Sequence, residues 1–315
     1  MMVDSVRFNR LPQRQVQDRA KVFFKSLRRM RYAAVGVGAH EMAIGVKPLK
    51  KFAKASKMPL VATNIFTSED EKHVFSPWLI KQVGGLRMCA LSLVTESPED
   101  YGTNFIDKGY VIMAPVKAAK RAVRELKDKR CDMIVVLSQL SRAEVDKVAE
   151  KVRGVDLVLG STGQNLTTSL ERINKAYFGD CFNKGKYVGE LLITPGKDKD
   201  RFAIANLKGS LLGERMSLAS RVRDISGQLE EADKPGGAIQ LTDESRTILQ
   251  QQLAALRAKL QRVAMELESE DEGPGDASLL SLTLHPLASD TKDDGQVLRV
   301  VERYKKKWKV GPPGH

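Results

Sequence analysis

The order of apolar and polar positions changes character partway along the chain. From residue 12 to about residue 195, short apolar runs alternate with amphipathic stretches. Within residues 12–30, Val16, Ala20, Phe23, Phe24 and Leu27 fall on one helical face, while Arg14, Arg19, Lys21, Lys25, Arg28 and Arg29 fall on the other. Tyr32–Val37 reads as a short strand running into Gly38. Gly45–Ser56 follows as a second amphipathic helix with Leu49, Phe52 and Ala53 inward, and Pro59–Thr63 as the next strand. Ile80–Val83 and Leu86–Val94 flank Gly84-Gly85, a hairpin signal because tight hairpin turns need positive φ. Pro115–Lys127 predicts a helix with proline in its first turn, ahead of an apolar strand at Met133–Leu137. Ser141–Lys151 predicts a helix opened by a capping box, Ser141 with Glu144 three residues on, followed by a strand at Asp156–Gly160. Apolar strands separated by helices of this length predict a layered α/β domain.

Near residue 209 the period changes. Leu218, Val222, Ile225 and Leu229, then Leu249, Leu253, Leu256, Leu260, Val263 and Leu267, follow an alternating four-three spacing on either side of Asp233-Lys-Pro-Gly-Gly237. That is the seam of two helices folded back as a coiled-coil hairpin. An acidic, glycine- and proline-bearing stretch follows, then a strand at Leu279–Leu287 and a helix at Gln296–Lys307. The expected domains are 1–207 (α/β), 208–268 (helical hairpin), 269–278 (acidic linker) and 279–315, a strand and helix returning to the main domain with a basic tail.

Composition narrows the classes. With 315 residues, 42% hydrophobic and 29% charged, the chain has ordinary globular make-up. No apolar run reaches the ~18 residues of a membrane span. Met1–Ala20 lacks an apolar core for a signal peptide, so the chain as written reads as cytoplasmic, and as periplasmic if a leader lies upstream of Met1. Cys89, Cys131 and Cys181 are odd in number and widely spaced, which argues against a disulfide framework and a zinc site. Cys89 and Cys131 read as small core residues, and Cys181 as an exposed loop thiol with no histidine neighbour to make it a nucleophile. His73 reads as a surface-loop residue and His285 as structural, alternating with the apolar residues of a strand.

The net charge of +13 is uneven, since residues 1–60 hold 14 basic and 3 acidic residues. This basic segment reads as a solvated helix face in preference to a nucleic-acid site, because no DNA- or RNA-binding motif accompanies it. Lys305, Lys306, Lys307 and Lys309 surround Trp308 at the C-terminal end, read as a solvated helix terminus.

Tyr32-Ala-Ala-Val-Gly-Val-Gly-Ala-His-Glu-Met-Ala-Ile-Gly45, a helix, and then Met58-Pro-Leu-Val-Ala-Thr-Asn64 resemble the bacterial 5′-nucleotidase/UDP-sugar hydrolase branch of the calcineurin-like metallophosphoesterases. That family places a Gly-Asn-His-Glu/Asp loop after such a strand. The resemblance continues through Val83–Leu93, through the helix–strand–helix–strand run Pro115–Gly160, and through Lys186–Ile193, covering roughly residues 15–207. It implies a layered mixed-sheet sandwich (α/β/β/α) with a C-terminal helical hairpin, and hydrolysis of nucleotide phosphate esters at two divalent metal ions. The ligands do not carry over. The chain starts downstream of the family's Asp-x-His strand. Ala39 stands at the ligating Asn, Gln139 at a ligating His, and Thr162 and Gln164 at the final His-x-His.

His40 matches a family histidine that acts beside the metals. It reads either as a phosphate-contacting imidazole or as a loop histidine with a local hydrogen bond, the latter favoured when no metal generates the nucleophile. Glu41, Gln139, Thr162, Gln164 and Asn165 would line a remnant polar cleft. The expectation is therefore a nucleotidase-like protein that is catalytically degenerate, with no cofactor. It would bind a nucleotide or phosphate-like molecule, or serve as a scaffold with a protein partner on the 208–268 hairpin. The alternative is an active metal-dependent phosphoesterase with unusual ligands or a missed N-terminal strand. A nucleic-acid partner and a transmembrane segment are not expected.

Overall fold

The computed structural model describes residues 12–38, 41–42, 44–96, 109–160, 167, 169–181, 185–205, 207–234, 241–269, 275–288 and 291–310. The elements run α1 (Gln13–Arg29), β1 (Val35–Gly36), α2 (Val46–Ser56), β2 (Leu60–Val61), β3 (Ile65–Thr67), β4 (Trp78–Val83), β5 (Leu86–Val94) and β6 (Tyr110–Ile112). They continue with α3 (Pro115–Asp128), β7 (Met133–Gln139), α4 (Arg142–Lys151), β8 (Leu157–Gly160), β9 (Glu171–Ile173) and β10 (Ala176–Asp180). The remainder are β11 (Tyr187–Thr194), β12 (Asp198–Ile204), α5 (Leu207–Asp233), α6 (Asp243–Ser269), β13 (Ala277–Pro286) and α7 (Gly295–Trp308). Two compact units emerge, one of Met1–Leu191 with Leu282–His315, the other of Leu192–Ser281.

The first unit is built on a mixed sheet ordered β4-β5-β7-β8-β10-β9. β5, β7, β8 and β10 run parallel, and the antiparallel strands β4 and β9 close the two edges. β4 and β5 form the hairpin the glycine pair predicts, with Gly84 at φ 54° and Gly85 at φ 83°, both left-handed, where a side chain would be strained. One sheet face is covered by α3 and α4. Ala118, Ala119, Ala122, Val123 and Leu126 of α3 and Val145, Val148 and Ala149 of α4 bury against Leu91, Leu93, Ile134, Val136 and Val158. The small side chains of α3 let the helix lie close to the strands, and each fully buried valine or leucine contributes about 1.5–3 kcal/mol. Ser141 caps α4 with the full capping box, its side chain accepting from Glu144 N–H while the Glu144 carboxylate accepts from Ser141 N–H.

A second core joins α1 and α2 to the small parallel pair β1–β2, with Phe24, Leu49, Val37, Ile65 and Leu27 at its centre. Tyr32–Val37 and Pro59–Thr63 were each expected as full strands, yet only two residues of each pair. The reason lies just beyond the ladder: Val37 N–H reaches Val61 O, but Thr63 turns away to the main sheet, donating its N–H to Ser92 O at 2.9 Å. β3, β6, β9, β10 and β12 lie in stretches that the apolar pattern leaves unassigned, several of them too short to show a period.

The cysteine expectation is corrected here. Cys89 in β5 and Cys131 just before β7 form a disulfide, with Cα atoms 5.9 Å apart and a sequence separation of 42. They are distant in the chain but neighbours in space, because β5 and β7 pair in parallel with Cys89 opposite Ile134. Cys181 is free and half-buried.

In the second unit, α5 and α6 form a helical hairpin. Leu211, Leu218 and Val263 are buried between the helices, flanked by Leu256, Leu260 and Leu267. Lys259–Glu214 (2.9 Å) and Arg246–Asp233 are ion pairs along it. β12 pairs in parallel with β13, Phe202 opposite Ser278.

Candidate functional site

The carboxyl ends of parallel strands collect the loops where α/β folds place ligands. Three described positions mark that edge of the main sheet: Gln139 ends β7 opposite Val94, Gly160 ends β8, and Asp180 ends β10 opposite Gly160. β1 delivers Gly38 to the same place. Gly38 N–H donates to the Glu41 carboxylate at 3.0 Å, and Gly38 O accepts from Met42 N–H at 3.0 Å, so Glu41 is locked into the first turn after the strand. A Cβ on Gly38 would overlap the Gln139 carboxamide. The structure thus brings together Glu41 and Gln139, predicted from residues almost a hundred positions apart. His40, Thr162, Gln164 and Asn165, with Ala39, lie outside the described residues.

Two flanking side chains escape sequence reading. Asn64 is fully buried: its amide donates to Val94 O (2.8 Å) and Met113 O (3.0 Å), and its Oδ1 accepts from Val94 N–H (3.0 Å). Thr63 donates its hydroxyl to Pro77 O and accepts from Ser92 N–H at 2.9 Å. Together they staple the end of β2 to the carboxyl end of β5, next to Thr95, whose hydroxyl donates to Glu144 at 3.0 Å. Asp180, beside the Cys181 that reads from sequence as a loop residue, is a buried carboxyl group at the end of β10. Its backbone N–H donates to Thr167 Oγ1 at 2.7 Å, and its carboxylate lies against Gly160. An apolar run at Ala176–Phe178 is the only sequence signal that could have placed it.

The remaining candidates have structural surroundings. The Cys181 thiol is pushed up by burial first and by the Asp180 charge second, with a hydrogen bond from the Gly189 backbone opposing, so it is held in its unreactive protonated form. His73, expected on a surface loop, is half-buried with its ring on Phe66 at 4.3 Å between centroids. Burial lowers its pKa, Arg121 lowers it further and Glu125 opposes. His285 Nε2 lies 2.8 Å from Glu190 on the surface.

A pair of divalent cations needs several carboxylate or imidazole donors converging on one space. Around Gly38, the described donors are the Glu41 carboxylate, already engaged by a backbone N–H, and the neutral Gln139 carboxamide. Among the described residues no group of three or more His, Cys, Asp or Glu side chains converges as a metal site. These donors by themselves do not fit a two-cation centre.

Comparison with known proteins places the chain. A 131-residue segment is 27% identical to the 5′-nucleotidase of Vibrio cholerae and 24% identical to UshA of Escherichia coli, covering 41% of this chain in each case. The 5′-nucleotidase precursor from Thermus thermophilus superposes with a TM-score of 0.50 at 26% identity, over 58% of this chain and 39% of that one. The chain resembles the 5′-nucleotidases. The calcineurin-like phosphoesterase YfkN from Bacillus subtilis shares this nucleotidase-type fold at a TM-score of 0.51 and 18% identity, over 77% of this chain and 75% of that one. No family model matches. The nucleotidase-like match spans 24% of the length of each of the two curated relatives.

The fold class is therefore a mixed α/β metallophosphoesterase type with a helical C-terminal region. The expectation that no cofactor belongs with this chain is corrected by the same comparisons: its relatives and structural neighbours are 5′-nucleotidases and a calcineurin-like phosphoesterase, the class that the resemblance links to two divalent metal ions. No helix among the described residues is long and apolar enough to cross a membrane.

Proposed function

We propose that this chain is a nucleotidase-like binding module: it holds a nucleotide or similar phosphate ester at the carboxyl ends of β1, β7 and β8, and its catalysis is degenerate. The observation that carries this reading is the packing of the Gln139 carboxamide on Gly38 beside Glu41. A carboxamide at the end of a parallel strand can donate to a phosphate oxygen and accept from a sugar hydroxyl, yet it is a poor ligand for a hard dication. His40, Thr162, Gln164 and Asn165 are assigned to the same cleft on the residues that match the family's loops. The nucleotidase relatives support a nucleotide as the ligand. The Cys89–Cys131 disulfide favours an oxidising compartment, and with it the periplasmic alternative for localisation.

The test is thermal stability and hydrolysis together, with AMP, UDP-glucose and bis-p-nitrophenyl phosphate, each with and without Mn²⁺, Co²⁺ or Zn²⁺. Ligand at about a hundred times Kd should stabilise the protein by about 2.7 kcal/mol. Gln139→Ala should abolish that shift with no turnover in either protein. Steady metal-dependent hydrolysis that falls on His40→Ala would establish the active-enzyme alternative instead.

A further inference from the structure

The described residues contain a cleft that owes nothing to the nucleotidase-like edge. It lies between the carboxyl end of α1 and the amino end of α7, is an open groove of about 380 Å³, and is lined by Lys25, Arg28, Arg29, Arg31, Val297 and Val300, among others. Lys25, Arg28 and Arg29 share a face of α1 at helical spacing. Arg31 joins them because the chain doubles back after α1: Arg31 adopts φ 55°, with its N–H on Arg28 O at 3.1 Å, while Tyr32 N–H reaches Leu27 O.

Charge is out of balance there. Arg29 is neutralised by Asp294, its Nε 2.9 Å from each carboxylate oxygen. Asp294 has a second duty, accepting from Gln296 and Val297 N–H as the cap of α7, so the helix amides at the cleft are already satisfied. Lys25, Arg28 and Arg31 make no ion pair among the described residues, unlike Lys21 and Lys307 nearby, which share Asp18. Three uncompensated cations held around one concavity repel each other. An anion of high charge density removes that repulsion and gains guanidinium hydrogen bonds in fork geometry.

We propose that this cleft is an anion site for a compact, multiply charged phosphate group, either free polyphosphate or the polyphosphate of a nucleotide. Val297 and Val300 form an apolar wall beside the cations.

Titration of the full chain with pyrophosphate by calorimetry tests the site, alongside ADP at the same salt. Saturable pyrophosphate binding is the expected result. Arg28→Gln and Arg31→Gln should each weaken it about tenfold, as loss of a charge-assisted contact does. Lys306→Gln, which removes the same single charge from the C-terminal tail, should leave it unchanged. Both ligands are titrated again in the Gln139→Ala background, so that binding at the β7 cleft is not counted here and the two sites are told apart. Equal affinity for ADP identifies the phosphates alone as the determinant, and tighter ADP binding adds a contact to the nucleoside; both support the site. The proposal fails if pyrophosphate does not bind, if the tail variant weakens binding as much as Arg28→Gln, or if duplex DNA binds more tightly with a steep salt dependence. Unchanged melting temperatures of the arginine variants exclude misfolding as the cause of any loss.

Discussion

Replacing Asn64 by Asp changes one NH₂ group to an oxygen with almost no change of shape, at a fully buried position. The native amide donates to Val94 O and Met113 O, at 2.8 and 3.0 Å. In the Asn64→Asp protein both carbonyls lose their donor and face a carboxylate oxygen instead. Each stranded buried acceptor costs about 1–3 kcal/mol, and the uncompensated charge adds several more, so the loss at neutral pH should be about 4–6 kcal/mol. Burial and the two carbonyls raise the pKa of the introduced carboxyl group in the folded state above its unfolded value of about 3.9. The folded state therefore binds a proton that the unfolded state releases. Stability relative to the wild type should recover as pH falls through the folded pKa, where a protonated oxygen can again donate to one carbonyl, and decline as pH rises.

Urea denaturation of the wild type, Asn64→Asp and Asn64→Ala at about pH 8 and about pH 5 measures this. Asn64→Ala is also destabilised but carries no titrating group, so its deficit should hold steady between the two conditions. Asn64→Asp should close much of its gap at the lower pH. A deficit below about 1 kcal/mol, or parallel behaviour of the two variants, would refute the stapling role of Asn64.

Further outcomes follow from other contacts. The Cys89–Cys131 bridge closes a separation of 42 residues, for which the chain-entropy model gives about 4 kcal/mol, so reduction should lower the melting temperature by roughly 10 °C. Three reactive thiols in unfolded protein that has not seen reductant would show the bridge absent. Gly196→Ala would drive a Cβ into the backbone carbonyls of Asp276 and Ala277, shifting β12 from β13 at a cost of about 1–3 kcal/mol. Faster hydrogen exchange at Ala203 and Ile204 is the readout, and unchanged protection there would contradict it. Asp18 is held at about 2 by Lys307 first and Lys21 second, so the stability it contributes is present above about 3.8 and lost as pH falls towards 2. The effect should be under about 1 kcal/mol and vanish in Lys307→Met, as acid titration of the two proteins can show.

The legible parts of the fold are those with a local cause. The faces of α1 and α2, the helices α3 and α7, the Gly84-Gly85 hairpin and the Ser141–Glu144 cap all stand where spacing or turn chemistry demands them. β9 and β10 were missed because short strands under a sheet edge carry no period of their own. Glu41 and Gln139, proposed from matched loops, lie together around Gly38, while Asn64 and Asp180 were not singled out, since their burial comes from partners distant in sequence.

The amino-acid order determined the helices and the longer or turn-bounded strands, because amphipathic spacing and capping act over a few residues, while β3, β6, β9, β10 and β12 carry no such local mark. Only the tertiary structure decided the pairings between distant segments: the carboxamide of Gln139 on Gly38, the disulfide between Cys89 and Cys131, and the gathering of Arg28 and Arg31 beside the start of α7. The physical reason is that contacts of long sequence separation follow from how sheet and helices stack, and that stacking is a property of the whole core.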